Sequence, residues 1–262
     1  MTTLYAFWRL TRFDSCFLGF LSLFLPFFIR THDLASSLGR ASPLLFVCMC
    51  TFVANDLDDL ERDRVNHPQR PLPSSRVTPP VAAVLYFGCL GASLFTTRHF
   101  VDTRIAFWYY ALTTLAISYR YVVEALSGLK APYVATLIAV PVLIVAASYP
   151  DDKRLSAVAG SVFLFAIGRE LCMDVLDRAG DARSFMHRFR AHDLSIVAFA
   201  FQTSGLAFLL VSNVRRTLDV ATVTLMAVVL LTAAYYWFSA SRHRVAVQLM
   251  KVEFFLGLYF LV

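Results

Sequence analysis

Long apolar stretches, separated by charge, glycine or proline, set the strongest limit on how this chain can fold. A membrane-spanning helix needs about 20 largely apolar residues, and nine stretches come near that length. They lie at residues 13–29, 42–57, 79–97, 103–121, 131–149, 156–175, 193–213, 218–239 and 245–262. In a bilayer the backbone must satisfy its own hydrogen bonds, which favours helices for stretches of this length. The sequence predicts an all-α, polytopic membrane protein of about nine helices, with a single domain over residues 1–262.

The composition supports this class and argues against others. Apolar residues make up 58% of the chain and charged residues 16%, whereas soluble domains average about 45–50% and about 25%. The net charge is +6, but no basic stripe interleaved with polar residues suggests nucleic-acid binding. The five cysteines form no CxxC pair and lie in or beside apolar stretches. We therefore expect a lipid bilayer as the surroundings, no nucleic-acid partner and no obligatory protein partner.

Two acidic clusters share one spacing. One follows the second apolar stretch and the other follows the sixth, and each reads Asp-x-x-Asp-x-x-x-Asp, with corresponding aspartates 118 residues apart. The members are Asp56, Asp59 and Asp63, preceded by Asn55, and Asp174, Asp177 and Asp181. An even offset in spans puts both clusters on the same side of the membrane. This is expected of two parallel four-helix repeats plus a ninth helix, and we predict that the clusters face each other.

The basic residues indicate which side of the membrane this is. The alternating ends that include the N-terminus and both acidic clusters hold 16 of the Lys and Arg residues, and the opposite ends hold 8. Lys and Arg are enriched on the cytoplasmic side of membrane proteins. The acidic clusters are therefore predicted to be cytoplasmic.

Helical periodicity places each set of three aspartates on one face. Positions i, i+3 and i+7 fall within about 60° of one another at about 100° per residue. Asp58 and Glu61 fall on the opposite face of the first cluster, where we expect them to be solvated.

The chemistry of these clusters points to a magnesium site. Clustered carboxylates near a bilayer need a neutralising cation, and carboxylates without His or Cys partners suit Mg²⁺, which completes its shell with water and substrate phosphates. We predict that Asn55 and the six aspartates are metal ligands, and that the aspartates serve catalysis through the metal around one diphosphate. Arg70 lies in a proline-stiffened loop and is predicted to clamp that diphosphate. Further candidates for diphosphate contact are Asn55, Arg120, Lys130 and Arg178.

These motifs resemble those of the UbiA superfamily of intramembrane prenyltransferases. The family pattern Asn-Asp-x-x-Asp-x-x-x-Asp matches residues 55–63, and the pattern Asn-x-Pro-x-Arg-Pro-x-Pro-Ser matches residues 66–74. The second family pattern matches the aspartates at 174–181, with Arg169 and Glu170 ahead of them. The proline-rich block is most similar to the branch that includes digeranylgeranylglyceryl phosphate synthases.

The resemblance implies a fold and a reaction. The fold is an all-helical barrel that opens laterally, and Mg²⁺ holds an isoprenyl diphosphate within it. The allylic carbon–oxygen bond ionises, a lipophilic acceptor (aromatic or lipid) takes the prenyl group, and diphosphate leaves. The sequence departs from the family after the fourth span: the lysine of a Tyr-Ser-x-x-x-Lys-like stretch is absent from residues 117–124. Either Arg120 or Lys130 could take its place.

The sequence is also compatible with two other functions. Some superfamily members are terpene cyclases, in which the farnesyl or geranylgeranyl cation closes on its own double bonds without an acceptor. Aromatic faces stabilise cations, and residues 107–110 and 235–237 are aromatic-rich, although membrane proteins also use aromatic residues at interfaces. A transporter or divalent-cation channel is the alternative from another class, but its site would lie nearer the membrane midplane.

Overall fold

A computed structural model describes residues 3–176, 188–213 and 217–261. Within these ranges all regular secondary structure is helical. The chain divides into two compact units, residues 1–120 and 121–262.

The first unit begins with a short helix and then contains long apolar helices. Its helices are α1 (Thr3–Leu10), α2 (Phe13–Thr31), α3 (Leu34–Asp58), α4 (Leu60–Asn66), α5 (Pro79–Phe100) and α6 (Thr103–Ala125), whose last turn extends into the second unit. Helix α3 packs against both α2 and α5. Asp33 starts α3 as its N-cap and accepts a hydrogen bond from the Ser36 amide at 3.1 Å. Helix α5 begins with Pro79 and Pro80. Proline is favourable there because backbone amides in the first turn of a helix have no helical acceptor, so the missing amide hydrogen costs no hydrogen bond.

The second unit is built around one deeply buried helix. A 3₁₀ turn (Ser127–Leu129) leads into α7 (Lys130–Ser148), followed by α8 (Arg154–Leu176), α9 (Ala191–Asn213), α10 (Thr217–Phe238), α11 (His243–Gly257) and a second 3₁₀ turn (Leu258–Leu261). Helix α8 packs against α7, α9 and α11, and α10 packs against α9 and α11. Because α8 also carries Asp174, the packing of this unit fixes part of the second acidic cluster.

Each of the nine predicted spans corresponds to a long helix in the described part of the chain. Seven of these helices have the length and hydropathy of membrane spans. The other two are α6, which contains several polar and tyrosine residues, and α11, which has 15 residues before its helix tightens into the 3₁₀ turn. The short helices α1 and α4 lie outside the predicted spans. The protein is an integral membrane protein, as the sequence predicted.

Helices α8 and α9 cross closely at Gly168. A Cβ atom at this position would lie 2.5 Å from both the Ala198 carbonyl oxygen and Gln202 Cγ. Because backbone and buried side-chain atoms cannot move away freely, Gly168→Ala should force the helices apart and destabilise the protein by about 1–3 kcal/mol. Thermal unfolding in detergent measures this effect.

Gly88 in α5 provides the matched control. A Cβ atom there would meet nothing within 4 Å, and alanine has a higher helix propensity than glycine. Gly88→Ala should leave the unfolding temperature unchanged or raise it. Equal stability of the two variants would show that the α8–α9 crossing tolerates a methyl group.

Candidate active site

The first acidic cluster lies where the chain passes from α3 to α4. Asp59 separates the two helices, with φ −88° and ψ 6°. Its amide nevertheless bonds to the Asn55 carbonyl at 2.9 Å, and its own carbonyl accepts from the Asp63 amide at 2.8 Å. Because these are bonds between residues four apart, as in an α-helix, the helical path nearly continues through the break. Asp56 and Asp63 therefore stay on the same side.

Arg70 joins these two aspartates. Its Nη1 atom lies 2.5 Å from Asp63 Oδ2 and 3.8 Å from Asp56 Oδ1. Both carboxylate side chains are only 5% exposed, whereas the Arg70 side chain is 31% exposed. Buried carboxylates are stable only when a cation or hydrogen-bond donors compensate their charge. The guanidinium supplies part of that compensation and keeps an edge accessible.

The proline-rich loop holds Arg70 in this position. Both the amide and the hydroxyl of Ser74 donate to the Arg70 carbonyl, at 3.0 and 2.7 Å. Leu72 and Val77 are buried in an apolar cluster with residues of α1, α3 and α5. The loop is therefore anchored by its apolar side chains, and the fixed backbone at residue 70 directs the guanidinium towards the aspartates.

Arg12, a second arginine at this site, was not among the residues predicted from the sequence. It lies between α1 and α2 in the left-handed conformation, with φ 47° and ψ 48°. Its Nη2 atom donates to Asp56 Oδ1 at 3.1 Å, and its guanidinium lies 4.8 Å from the centre of the Phe52 ring. Asp56 therefore contacts two arginines. In the sequence Arg12 is one of several basic residues beside an apolar stretch. Its partner Asp56 lies 44 positions away, so no local sequence pattern predicts the contact.

The remaining residues of the first cluster differ in exposure. Asn55 and Asp59 are half-buried next to the two buried aspartates. Asp58 is exposed, and Glu61 is exposed and forms a surface ion pair with Arg64 at 2.7 Å. Both Asp58 and Glu61 are therefore exposed, as helical periodicity predicted.

In the second unit the structure brings Lys130 and Asp174 together. Lys130 is the first residue of α7, directly after the 3₁₀ turn, and its Nζ atom lies 2.5 Å from Asp174 Oδ1. The Asp174 side chain is 4% exposed and that of Lys130 is 23% exposed. Asp177, Arg178 and Asp181 lie outside the described residues. Arg120 lies in α6, but its side chain is also outside the described part.

The donors of the first unit suit a hard divalent cation. Among the described residues no three His, Cys, Asp or Glu side chains are close enough together to hold a metal ion by themselves. Mg²⁺ does not require this, because it binds through one or two carboxylates and completes its shell with water and substrate phosphates. Asp56 and Asp63 offer two buried carboxylates on one side of the chain, paired with the guanidinium groups of Arg12 and Arg70.

In both units a buried aspartate pairs with an arginine or a lysine near the end of a long apolar helix. Such a site is suited to binding a charged group at the edge of a bilayer. Residues 16–258 match the UbiA prenyltransferase family. The chain therefore belongs to this family, as its motifs predicted.

Solved structures share the fold at low sequence identity. A structure of digeranylgeranylglyceryl phosphate synthase is 18% identical, with a TM-score of 0.73, and the match covers 100% of this chain and 98% of that one. A UbiA homologue from Aeropyrum pernix K1 is 16% identical, with a TM-score of 0.72 and coverages of 98% and 96%. A UbiA homologue from Archaeoglobus fulgidus, bound to GPP and Mg²⁺, is 17% identical, with a TM-score of 0.67 and coverages of 98% and 98%. No curated protein matches this sequence.

Proposed function

We propose that this protein is a Mg²⁺-dependent intramembrane prenyltransferase. Its substrate is an isoprenyl diphosphate, its acceptor is a lipophilic molecule in the bilayer, and its second product is diphosphate. The observation that carries this proposal is the contact of Arg70 with both Asp56 and Asp63 at the end of a membrane span. Membership in the UbiA prenyltransferase family and the GPP and Mg²⁺ bound by a structural neighbour support it.

The residues of the first unit have complementary roles. When bound, Mg²⁺ supplies a Lewis acid that stabilises the charge developing on the leaving diphosphate. Asp56 and Asp63 would hold the metal, with Asp59 and Asn55 beside them. Arg70 binds phosphate oxygens through its planar guanidinium, which matches phosphate geometry. Arg12 orients Asp56 and adds a second positive charge at the same carboxylate.

We assign an equivalent role to the second acidic cluster. Asp174, Asp177 and Asp181 are proposed metal ligands, because their spacing repeats that of the first cluster. Lys130 is proposed to contact the diphosphate in place of the lysine missing after the fourth span, and its ion pair with Asp174 supports this role. Arg120 and Arg178 remain further candidates. The excess of basic residues at these helix ends supports a cytoplasmic location for both clusters.

Product analysis tests the proposal and separates it from cyclisation. Purified protein in detergent with Mg²⁺ is offered geranyl, farnesyl or geranylgeranyl diphosphate, with and without a membrane lipid extract. A prenylated lipid formed only with the extract is the expected result. A cyclic hydrocarbon formed without it would identify a terpene cyclase instead. If no isoprenyl diphosphate is consumed, and liposomes containing the protein take up Mg²⁺, the protein is a transporter.

Arg12 provides a test of the contact that only the structure revealed. Arg12→Gln removes the charged hydrogen bond to Asp56, and hydrogen bonds to charged groups contribute about 1.5–3 kcal/mol. Because Arg12 is partly exposed, we expect a decrease in kcat/KM near the lower end, about tenfold. The measurement is diphosphate release from an isoprenyl diphosphate at saturating Mg²⁺.

Arg9 is the control for this substitution. It is a neighbouring arginine with an exposed side chain, so Arg9→Gln should change kcat/KM less than about twofold. An equal decrease in both variants would mean that general surface charge, rather than the Asp56 contact, accounts for the effect of Arg12.

A further inference from the structure

Helix α1 presents apolar side chains on two opposite faces. Ala6 and Leu10 are buried on one face. Leu4, Tyr5 and Trp8 lie on the other face, where they are 78%, 40% and 47% exposed. At about 100° per residue, the centres of the two faces differ by about 170° around the helix axis. The rest of the described chain therefore covers only one of the two apolar faces.

The packed face places α1 at the level where the membrane spans end. Ala6 and Leu10 belong to one apolar cluster with Val53 of α3 and Ala82 of α5. Val53 lies five residues before the end of α3, and Ala82 lies three residues after the start of α5. These positions are about 5–8 Å from the helix ends, and the headgroup layer on each side of a bilayer has a similar thickness. Helix α1 is therefore at the depth expected for the headgroup layer.

The uncovered face of α1 continues into an exposed apolar surface on α2. The Trp8 ring lies 4.6 Å, centre to centre, from the ring of Phe13 at the first turn of α2. Phe17, Leu18 and Leu25 are exposed apolar side chains further along this membrane span. A contiguous exposed apolar surface of this kind marks contact with a membrane or a partner. The surface of a span that faces lipid thus extends to Trp8.

The residue types of the uncovered face favour the bilayer over a soluble partner. Tryptophan and tyrosine combine an apolar ring with a polar N–H or O–H group, and both are enriched where the hydrocarbon of a membrane meets its headgroups. Arg9 is exposed beside this face, and a long basic side chain there can extend its charge towards lipid phosphates. A soluble partner would have to enter the headgroup layer to reach the same side chains.

A tight corner connects α1 to the candidate active site. Thr11 is buried, and its hydroxyl donates to the Phe7 carbonyl at 3.0 Å. The Cys16 thiol donates to the Thr11 carbonyl at 3.1 Å. Arg12 follows in the left-handed conformation and donates to Asp56 at 3.1 Å. Because these bonds hold both sides of the corner, the position of α1 determines where Arg12 lies.

We propose that α1 is an interfacial anchor: Leu4, Tyr5 and Trp8 insert into the headgroup layer of the membrane, and this attachment holds Arg12 against Asp56. The location of α1 is independent of the proposed function, whereas its effect on turnover rests on that function. The bilayer surface thereby helps to shape the first acidic cluster.

Fluorescence quenching tests the location of α1. The chain has three tryptophans, so Trp108→Phe combined with Trp237→Phe leaves Trp8 as the sole indole. This variant is reconstituted into phosphatidylcholine vesicles whose acyl chains carry bromine either near the glycerol end or near the methyl end. We expect the shallow bromines to quench Trp8 emission more than the deep ones, and acrylamide in the aqueous phase to quench it weakly.

Three results would overturn this location. Stronger quenching by the deep bromines would place α1 inside the hydrocarbon layer. Quenching by acrylamide without quenching by either lipid would place the uncovered face in water, as a surface for a soluble partner. Quenching by none of these agents would mean that protein covers Trp8.

A double-mutant cycle tests the link between α1 and Arg12. Trp8→Asp puts a charge at the headgroup boundary and should lower kcat/KM for diphosphate release in vesicles about tenfold, as expected for Arg12→Gln. Trp8→Asp combined with Arg12→Gln should lose no more than Arg12→Gln alone, because both changes act through one contact. Trp8→Tyr is the control and should keep the wild-type rate, since tyrosine is also favoured at the interface.

Additive losses in the double variant would mean that Trp8 supports the fold rather than the position of Arg12. Wild-type kinetics in Trp8→Asp would show that turnover does not depend on the attachment of α1. If wild type releases diphosphate from no isoprenyl diphosphate, the proposed function fails together with the effect on turnover, and quenching alone decides the location of α1.

Discussion

Asp63→Asn should lower kcat for diphosphate release by at least about 10³-fold while the protein stays folded. The asparagine keeps the size of the side chain but removes the negative charge, which pairs with Arg70 at 2.5 Å and which we propose binds the metal. Metal-ion stabilisation of a leaving group contributes several kcal/mol, and each 1.36 kcal/mol changes the rate about tenfold. Single-turnover release of diphosphate, measured across a Mg²⁺ titration, reports both the lost rate and the weakened metal dependence.

Asp58→Asn is the control for this prediction. Asp58 belongs to the same acidic stretch but is exposed on the other face of the helix, so its variant should keep activity within about twofold of wild type. Full activity of Asp63→Asn would contradict the proposed mechanism. A loss in Asp58→Asn as large as that in Asp63→Asn would mean that total negative charge matters rather than the buried face.

Lys130→Met should lower kcat/KM by at least about 10²-fold. Methionine preserves much of the apolar stem but removes the ammonium that lies 2.5 Å from Asp174. Removing one preorganised donor to a developing negative charge typically lowers a rate about 10²–10³-fold. The same substitution leaves the buried Asp174 carboxylate without this partner. Steady-state kinetics with the preferred isoprenyl diphosphate measure the loss.

Lys153→Met is the matched control for Lys130. Lys153 is exposed and lies just before the N-terminal end of α8, whereas Asp174 lies near the C-terminal end of the same helix. Its loss should leave kcat/KM within about twofold of wild type. Wild-type kinetics in Lys130→Met would contradict the proposed contact of Lys130 with diphosphate and leave Arg120 as the candidate to replace the missing family lysine.

The aromatic residues in the two stretches that kept cyclisation open have different surroundings. Phe107 and Tyr235 are 65% and 60% exposed, whereas Trp237 is buried against Phe199. Tyr109 is also buried and donates to the Arg40 carbonyl at 2.5 Å. Exposure therefore differs from residue to residue within these stretches, and product analysis rather than aromatic content separates transfer from cyclisation.

The sequence by itself determined the all-helical membrane architecture, the positions of nine long helices and the family. Hydropathy over about 20 residues is a local property, and a bilayer enforces helices wherever such a stretch crosses it. The motif spacing likewise indicated Asp56, Asp63 and Arg70 as candidate site residues, because helical periodicity and the proline-rich loop are properties of consecutive residues.

Only the tertiary structure decided which basic groups meet which acids. Arg12 reaches Asp56, and Lys130 reaches Asp174, each across 44 positions in the chain. The helix break at Asp59 and the left-handed backbone at Arg12 also have no local sequence pattern. The same holds for the close crossing at Gly168, where a missing side chain matters only because another helix lies against it. These features depend on how helices pack against one another, and packing is set by contacts between residues that are distant in sequence.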